Sequence, residues 1–120
     1  MVFQSKDAPL RGEIWLVDFN PSIGSEIKDQ HPALVVSVNE LNESPWGLIV
    51  VCPITTSRKD KIFRLHVFIS PPEGGIKHES IIRCDQIKSV SVQRFMKRWG
   101  QVDEEVLQKV DGILKKILNL

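Results

Sequence analysis

The chain has little sulfur, almost no net charge and no long apolar run. Among its 120 residues there are two cysteines, Cys52 and Cys84. They stand far apart, form no CxxC pair, and share no His/Cys spacing that resembles a zinc site. They read as small buried hydrophobes, with a disulfide between them left open. The formal net charge is +1, so the simplest nucleic-acid signal, a strongly basic domain, is missing. A local basic patch stays open, because three acids, Asp103, Glu104 and Glu105, are gathered near the C-terminal end. No segment approaches roughly 18 consecutive apolar residues, so no membrane span is expected. Residues 1–6 have neither the charged opening nor the apolar run of an export signal, so the expected location is the cytoplasm. No internal repeat and no low-complexity segment is visible.

What is present suits one domain. A composition of 42% hydrophobic and 26% charged residues is ordinary for a globular protein. The length allows a single core over residues 1–120. Residues 1–10 are polar, end in Ala8-Pro9, and read as a loose arm. Residues 12–18 are rich in β-formers and predict a strand. Asn20-Pro21 and Gly24-Ser25 punctuate a loop that runs to about Pro32. The runs at 33–38 and 48–54 are continuously apolar and predict strands buried on both faces. Pro53 lacks an amide donor, so that end of its strand is expected at an edge or bulge. Residues 39–47 and 55–61 read as loops. Residues 63–69 alternate, with Leu65, Val67 and Ile69 on one face and Arg64, His66 and Phe68 on the other. Short strands follow at 80–84 and 87–90, and 92–99 reads as a helical turn, then a strand.

The last element is a helix. From Asp103 on, Val106, Val110, Ile113 and Ile117 fall at helical spacing, with Leu107, Leu114 and Leu118 beside them. Asp103 is placed to cap its start, and the acids at 104 and 105 suit the positive end of its dipole. Gly112 inside it costs about 1 kcal/mol relative to alanine and asks for a packing reason. Six or seven short strands followed by one helix exclude an alternating βαβ sheet. The fold class is mainly β with a C-terminal helix, a small curled antiparallel sheet or barrel.

Four loop blocks carry more. They are Arg11-Gly12-Glu13-Ile14-Trp15-Leu16-Val17-Asp18-Phe19-Asn20-Pro21 followed by Gly24-Ser25-Glu26; His31-Pro32-Ala33-Leu34-Val35-Val36-Ser37; Cys52-Pro53-Ile54-Thr55-Thr56-Ser57; and Ser80-Ile81-Ile82-Arg83-Cys84-Asp85-Gln86-Ile87-Lys88-Ser89. In order and spacing they resemble the MazF/PemK toxin family over about residues 11–118. The resemblance implies an SH3-like barrel with a C-terminal helix, typically a homodimer. It implies metal-independent cleavage of single-stranded RNA at short motifs, through the RNA's own 2′-hydroxyl, leaving 2′,3′-cyclic phosphate and 5′-hydroxyl ends. No cofactor is implied. The partner it implies besides RNA is an acidic, partly disordered antitoxin.

The same resemblance assigns candidate residues. The family's catalytic threonine corresponds to Thr55, whose hydroxyl can donate to a phosphate oxygen. The family's arginine before the proline is replaced here by His31. Arginine has a permanent charge and a planar fork; histidine is shorter and has neither. His31 is therefore either a general base or acid in its own right, or a weakened site. Glu26 is a supporting candidate, to orient His31 or hold its loop. Arg58, Lys59 and Lys61 are candidates to track RNA phosphates. Asp85, Gln86 and Lys88 fall in the block where the family reads base edges, and Asp and Gln can hydrogen-bond unstacked bases. Trp15, Trp46 and Trp99 are stacking candidates, more naturally core or interface residues. His66 and His78 read as structural or surface residues.

Two rivals remain at this stage. One is a related CcdB-like binder of DNA gyrase, disfavoured because the helix ends in Ile117-Leu118-Asn119-Leu120 without the tryptophan that such a poison uses. The other is an RNA-binding module that has lost turnover at His31.

Overall fold

The computed structural model describes residues 7–120. Seven strands and two helices follow one another: β1 (Glu13–Asp18), β2 (Gln30–Val35), α1 (Asn39–Asn42), β3 (Leu48–Thr56), β4 (His66–Ile69), β5 (Ser80–Arg83), β6 (Lys88–Ser91), β7 (Phe95–Gln101) and α2 (Glu104–Leu118). All strand pairs are antiparallel. The sheet runs β4-β5-β3-β2-β1-β7, and β6 pairs with β3 off that path. The mainly β class with a C-terminal helix is therefore as the pattern predicts. The sheet is strongly curled but not closed, since β4 and β7 end the path.

The long middle strand β3 is its axis. Its first half pairs with β6 and its last three residues with β5, both on one edge, while β2 takes the other. The pairing with β6 ends at Val51 and that with β5 begins at Ile54. Cys52 and Pro53 thus fall at a break in the ladder. A residue without an amide donor is tolerated beside such a break, even though the strand is central and Pro53 is fully buried.

Alternation along β3 sorts the core onto two faces. Val50, Cys52 and Ile54 meet Leu34, Ile82 and Cys84, beneath Leu107 and Val110 of α2. Ile49 and Val51 meet Ala33, Val35, Val17, Phe19 and Phe95 on the opposite face. The cysteines are free and buried against one another. The hydrogen bond to Cys84 and burial push the Cys52 thiol up, so it stays neutral.

Several details depart from the sequence reading. Residues 39–42, expected in a loop, form the short helix α1. It is tied down by Asn42, whose side-chain amide donates to the Ser37 carbonyl at 3.1 Å, while Ser37 Oγ accepts from the Val50 amide at 3.0 Å. The strand β3 extends to Thr56, so Thr55 is a strand residue and not part of a loop. The strand expected from residue 63 begins only at His66. Of the expected arm, residues 1–6 lie outside the described residues, but Ala8 and Pro9 are buried. The Leu10 amide donates to Glu13 Oε1 at 2.7 Å, and Arg98 Nε lies 2.5 Å from Glu13 Oε2. Burial pushes the Glu13 carboxyl up, but hydrogen bonds from Trp15, Leu10 and Arg98 outweigh it and hold it below the usual range.

Asp103 does not cap α2 with its side chain; its own amide donates to Glu73 Oε2 at 2.7 Å. The helix is docked by Arg11, whose guanidinium makes two bonds to Asp111 at 2.7 and 2.6 Å and a third to the Val36 carbonyl. Gly112 finds no packing reason within the chain, because a Cβ there would meet no atom within 4 Å. Gly112→Ala is therefore expected to stabilise the fold by about 0.5–1 kcal/mol, read as a raised urea midpoint with an unchanged slope.

Candidate active site

The register of β2 on β3 pairs Leu34 with Cys52 and Ala33 with Pro53. His31 lies two residues before Ala33 on β2 and Thr55 two residues after Pro53 on β3, both past the end of the paired ladder. Alternation places both on the face that carries Ala33 and Pro53. Both line a cleft of about 330 Å³ at the end of the sheet, with Pro32, Thr56, Lys77, His78, Ser80 and Trp99. Neither side chain is committed to a hydrogen bond among the described residues, so both are free for a ligand. Lys77 Nζ stands 4.9 Å from the centre of the Trp99 ring, which holds a positive charge at the wall of the cleft.

The β3–β5 pairing continues the same face. Thr55 is opposite Ile81, so Arg83 lies one row further on that face, a diagonal of about 7–8 Å from Thr55. Arg83 grips Asp85 with two bonds, Nε to Oδ1 at 2.9 Å and the terminal nitrogen to Oδ2 at 2.7 Å. This fork holds the Asp85 carboxyl below the usual range and pushes the guanidinium up, so both stay ionised. His66, opposite Arg83 on β4, brings Nε2 to 3.1 Å from Asp85 Oδ1. The approach is off the line of a hydrogen bond, and neither buried ring nitrogen makes one. Burial pushes the His66 imidazole below its ordinary value, against the pull of the Asp85 charge.

That shift has a sign. An imidazole protonates less readily folded than unfolded, so the folded state binds fewer protons as pH falls through the unfolded value near 6.5. Stability is therefore expected to drop between about pH 7.5 and 5.5. His66→Gln should flatten that part of the profile, measured by urea unfolding at both pH values; an unchanged slope would assign it to another group.

The other predicted residues are distributed over the surface. Glu26, Asp85, Gln86 and Lys88 line a second groove of about 460 Å³ with Ser25 and Arg83. Glu26 accepts from the Ile23 amide at 2.8 Å and so holds its own loop; the structure does not bring it to His31. Gln86 Oε1 accepts from the Ile27 amide at 2.7 Å, and its amide nitrogen makes no hydrogen bond among the described residues. Lys88 Nζ is 5.8 Å from the centre of the Phe19 ring. Arg58 is turned to Asp60 at 3.3 Å, Lys59 lines a groove beside α2, and Lys61 is exposed in the same turn. None of the three lines the His31–Thr55 cleft. Among the tryptophans only Trp99 lines it; Trp15 packs edge-on against Phe95, and Trp46 is 77% exposed elsewhere.

Sequence reasoning missed Arg83, Lys77 and the Asp85 contact of His66. Arg83 stood inside a quoted block, and its spacing of two from Asp85 was the available signal. Lys77 had none, since a turn brings it to Trp99. Among the described residues no three of His, Cys, Asp and Glu converge as a metal cage would require.

The chain is similar to known proteins over nearly its whole length. Residues 10–118 match the family described as PemK-like, MazF-like toxin of type II toxin-antitoxin system. The chain is 35% identical over 114 residues to endoribonuclease MazF9 of Mycobacterium tuberculosis, covering 92% of this chain and 96% of that one. It is 29% identical to endoribonuclease EndoA of Bacillus subtilis, covering 92% and 94%. Its fold matches the crystal structure of MazF from Deinococcus radiodurans with a TM-score of 0.82 and 25% identity, covering 94% and 98%. It also matches a mycobacterial endoribonuclease solved in complex with its cognate antitoxin, with a TM-score of 0.76 and 23% identity, covering 94% and 97%. The chain belongs to the PemK-like, MazF-like toxin family of type II toxin–antitoxin systems.

Proposed function

We propose that this chain is the toxin of a toxin–antitoxin pair and a sequence-specific endoribonuclease that cuts single-stranded RNA by internal transfer, in the cytoplasm and as a homodimer. The observation that carries this reading is that His31 and Thr55 line one cleft, with Arg83 on the next strand in the adjoining groove. In the step proposed, the RNA 2′-oxygen forms a bond to phosphorus and the bond from phosphorus to the 5′-oxygen breaks. The products are a 2′,3′-cyclic phosphate and a 5′-hydroxyl.

Each residue has a distinct task. The Arg83 guanidinium, permanently charged and planar, stabilises the negative charge that grows on the phosphate oxygens. It supplies what the family places before the proline and this chain does not. Thr55 donates its hydroxyl to the same phosphate. His31 takes the proton from the 2′-hydroxyl and returns one to the departing 5′-oxygen. Asp85 is a poor base because Arg83 holds it ionised well below neutrality; it orients the guanidinium instead. Lys77 and Trp99 hold a neighbouring nucleotide, by charge and by stacking. Gln86, through its amide nitrogen, and Lys88 contact bases or phosphates in the second groove. The cognate antitoxin is acidic and covers these basic surfaces.

The test is RNA cleavage in excess EDTA with end mapping by mass spectrometry. Discrete cuts ending in cyclic phosphate, lost in Thr55→Ala, are the expected result. His31→Arg should slow cutting if His31 moves the proton. Faster cutting by His31→Arg would instead make this chain an attenuated member, and no cutting by either would leave only the binding function.

A further inference from the structure

Two thiols in the core have no part in the cleavage chemistry. Cys52 sits on β3 at the break between its pairings with β6 and β5. Cys84 follows the last residue of β5 and opens the tight turn Cys84–Gln86. Ile54 faces Ile82 in the β3–β5 ladder. Cys52 lies two residues before Ile54 and Cys84 two after Ile82, so the chain leaves that ladder with the cysteines on the same side as this pair. All four pack in one core cluster, whose other buried members are Ile, Leu and Val. Both cysteines are fully buried and free, and their thiols are hydrogen-bonded to one another. Cys84 also stands between Arg83 and Asp85, the two residues joined by the guanidinium fork.

From this arrangement we infer that Cys52 and Cys84 are a redox modification site: a peroxide joins them in a disulfide, and the new bond displaces the Arg83–Asp85 fork and slows RNA cleavage. The second half rests on the role proposed above for Arg83. Cys84 reacts first, because the hydrogen bond from Cys52 favours its thiolate against the cost of burial, and the thiolate is the nucleophile. Its sulfur attacks one oxygen of hydrogen peroxide. An S–O bond forms, the O–O bond breaks, and the departing oxygen leaves as water with the Cys84 proton. The Cys52 sulfur then attacks the sulfenic sulfur of Cys84. The S–S bond forms, the S–O bond breaks, and the hydroxyl leaves as water with the Cys52 proton. Two thiols are oxidised to one disulfide, and one peroxide is reduced to two waters. Hydrogen peroxide is small enough to reach a buried pair, and the partner thiol already in contact closes the bond before further oxidation. Drawing the sulfurs from hydrogen-bond contact to a covalent bond shifts Cys84 by about 1 Å. A misplacement of that size can cost on the order of 10²-fold in rate. In a reducing compartment such a bond is transient, and a dithiol reverses it.

The test treats the full chain, reduced and freed of dithiol, with excess hydrogen peroxide. Intact mass, a peptide map and RNA cleavage are read in parallel. The expected product is lighter by two hydrogen atoms, carries one bond between Cys52 and Cys84, and cuts RNA at least tenfold more slowly. Dithiothreitol should reverse all three. The thermal midpoint should not fall on oxidation, because the crosslink constrains the unfolded chain; lost cleavage is then not unfolding. Cys52→Ala, and Cys52→Ser, which keeps a hydrogen-bonding group of similar size, should cut RNA as the parent does and keep most of that activity after peroxide. Intact thiols, or a sulfinic acid on one cysteine without a crosslink, would overturn the inference. So would a crosslinked chain that cuts at the parent rate, or an equal loss in the Cys52 variants. If the reduced chain cuts no RNA, that failure falls on the nuclease reading, and the mass and peptide map alone uphold or overturn the thiol pair.

Discussion

Arg83→Ala is expected to lower kcat/KM for RNA cleavage by about 10²–10³-fold, the effect of removing one preorganised charge donor from a developing oxyanion. The drop should lie mostly in kcat, because the charge that Arg83 meets grows between ground state and transition state. Arg83→Lys keeps the charge but cannot hold the two-bond fork with Asp85, so it should recover only part of the rate. Asp85→Asn tests positioning separately. It leaves the guanidinium in place and loosens its aim, so the expected loss is nearer tenfold. Both partners of this pair are partly exposed, with side chains 25% and 30% accessible. Their contribution to stability is therefore small, about 1 kcal/mol or less. The thermal midpoint should move little in either variant while the rate collapses. A large fall in the midpoint, with the rate per folded molecule unchanged, would make the pair structural.

Gly75→Ala should destabilise the protein by about 3–5 kcal/mol, combining a strained backbone with overpacking. Gly75 has a φ of +80°, and a Cβ there would stand 2.3 Å from the carbonyl oxygen of Trp99. The obstacle is backbone, so no rotamer change relieves it. The turn Glu73–Gly75 is laid directly on β7, and Gly100 answers from the other side, where a Cβ would come within 2.7 Å of Gly74. This contact sets the wall of the cleft, since Trp99 and the neighbours Ile76 and Lys77 all line it. The thermal midpoint is expected to fall by about 10 °C or more. RNA cleavage well below that midpoint should fall too, because Trp99 and Lys77 lose their relative placement. A midpoint within 2–3 °C of the parent, less than about 1 kcal/mol corresponds to, would show that the turn yields easily.

Much of this was legible along the chain. Apolar runs of the right length announced the strands that cross the core, and the 3.6-residue spacing after Asp103 announced α2, because burial on one face leaves a periodic trace. The alternation of 63–69 gave the correct faces, with Val67 and Ile69 in the core, though the strand itself needed β5 and starts only at His66. Thr55 and His31 were legible as candidates through the order of the four blocks. Short polar elements left no such trace. The helix α1 depends on hydrogen bonds between Ser37, Asn42 and the Val50 backbone, and Ala8 is buried beside Asn42, Trp46 and Val92, segments that only the folded chain brings together.

The sequence by itself determined which segments could be buried and which side chains could handle a phosphate, since both follow from residue type and period. Only the tertiary structure decided which candidates meet. Register is a non-local property: it brings His31 of β2 and Thr55 of β3 to one cleft and sets Arg83 of β5 in the adjoining groove. It also separated Arg58, Lys59 and Lys61 from the cleft, giving Lys59 to the α2 groove, and left Glu26 bound to its own loop. Charge and hydroxyl are local chemistry, whereas their distance depends on how three strands line up.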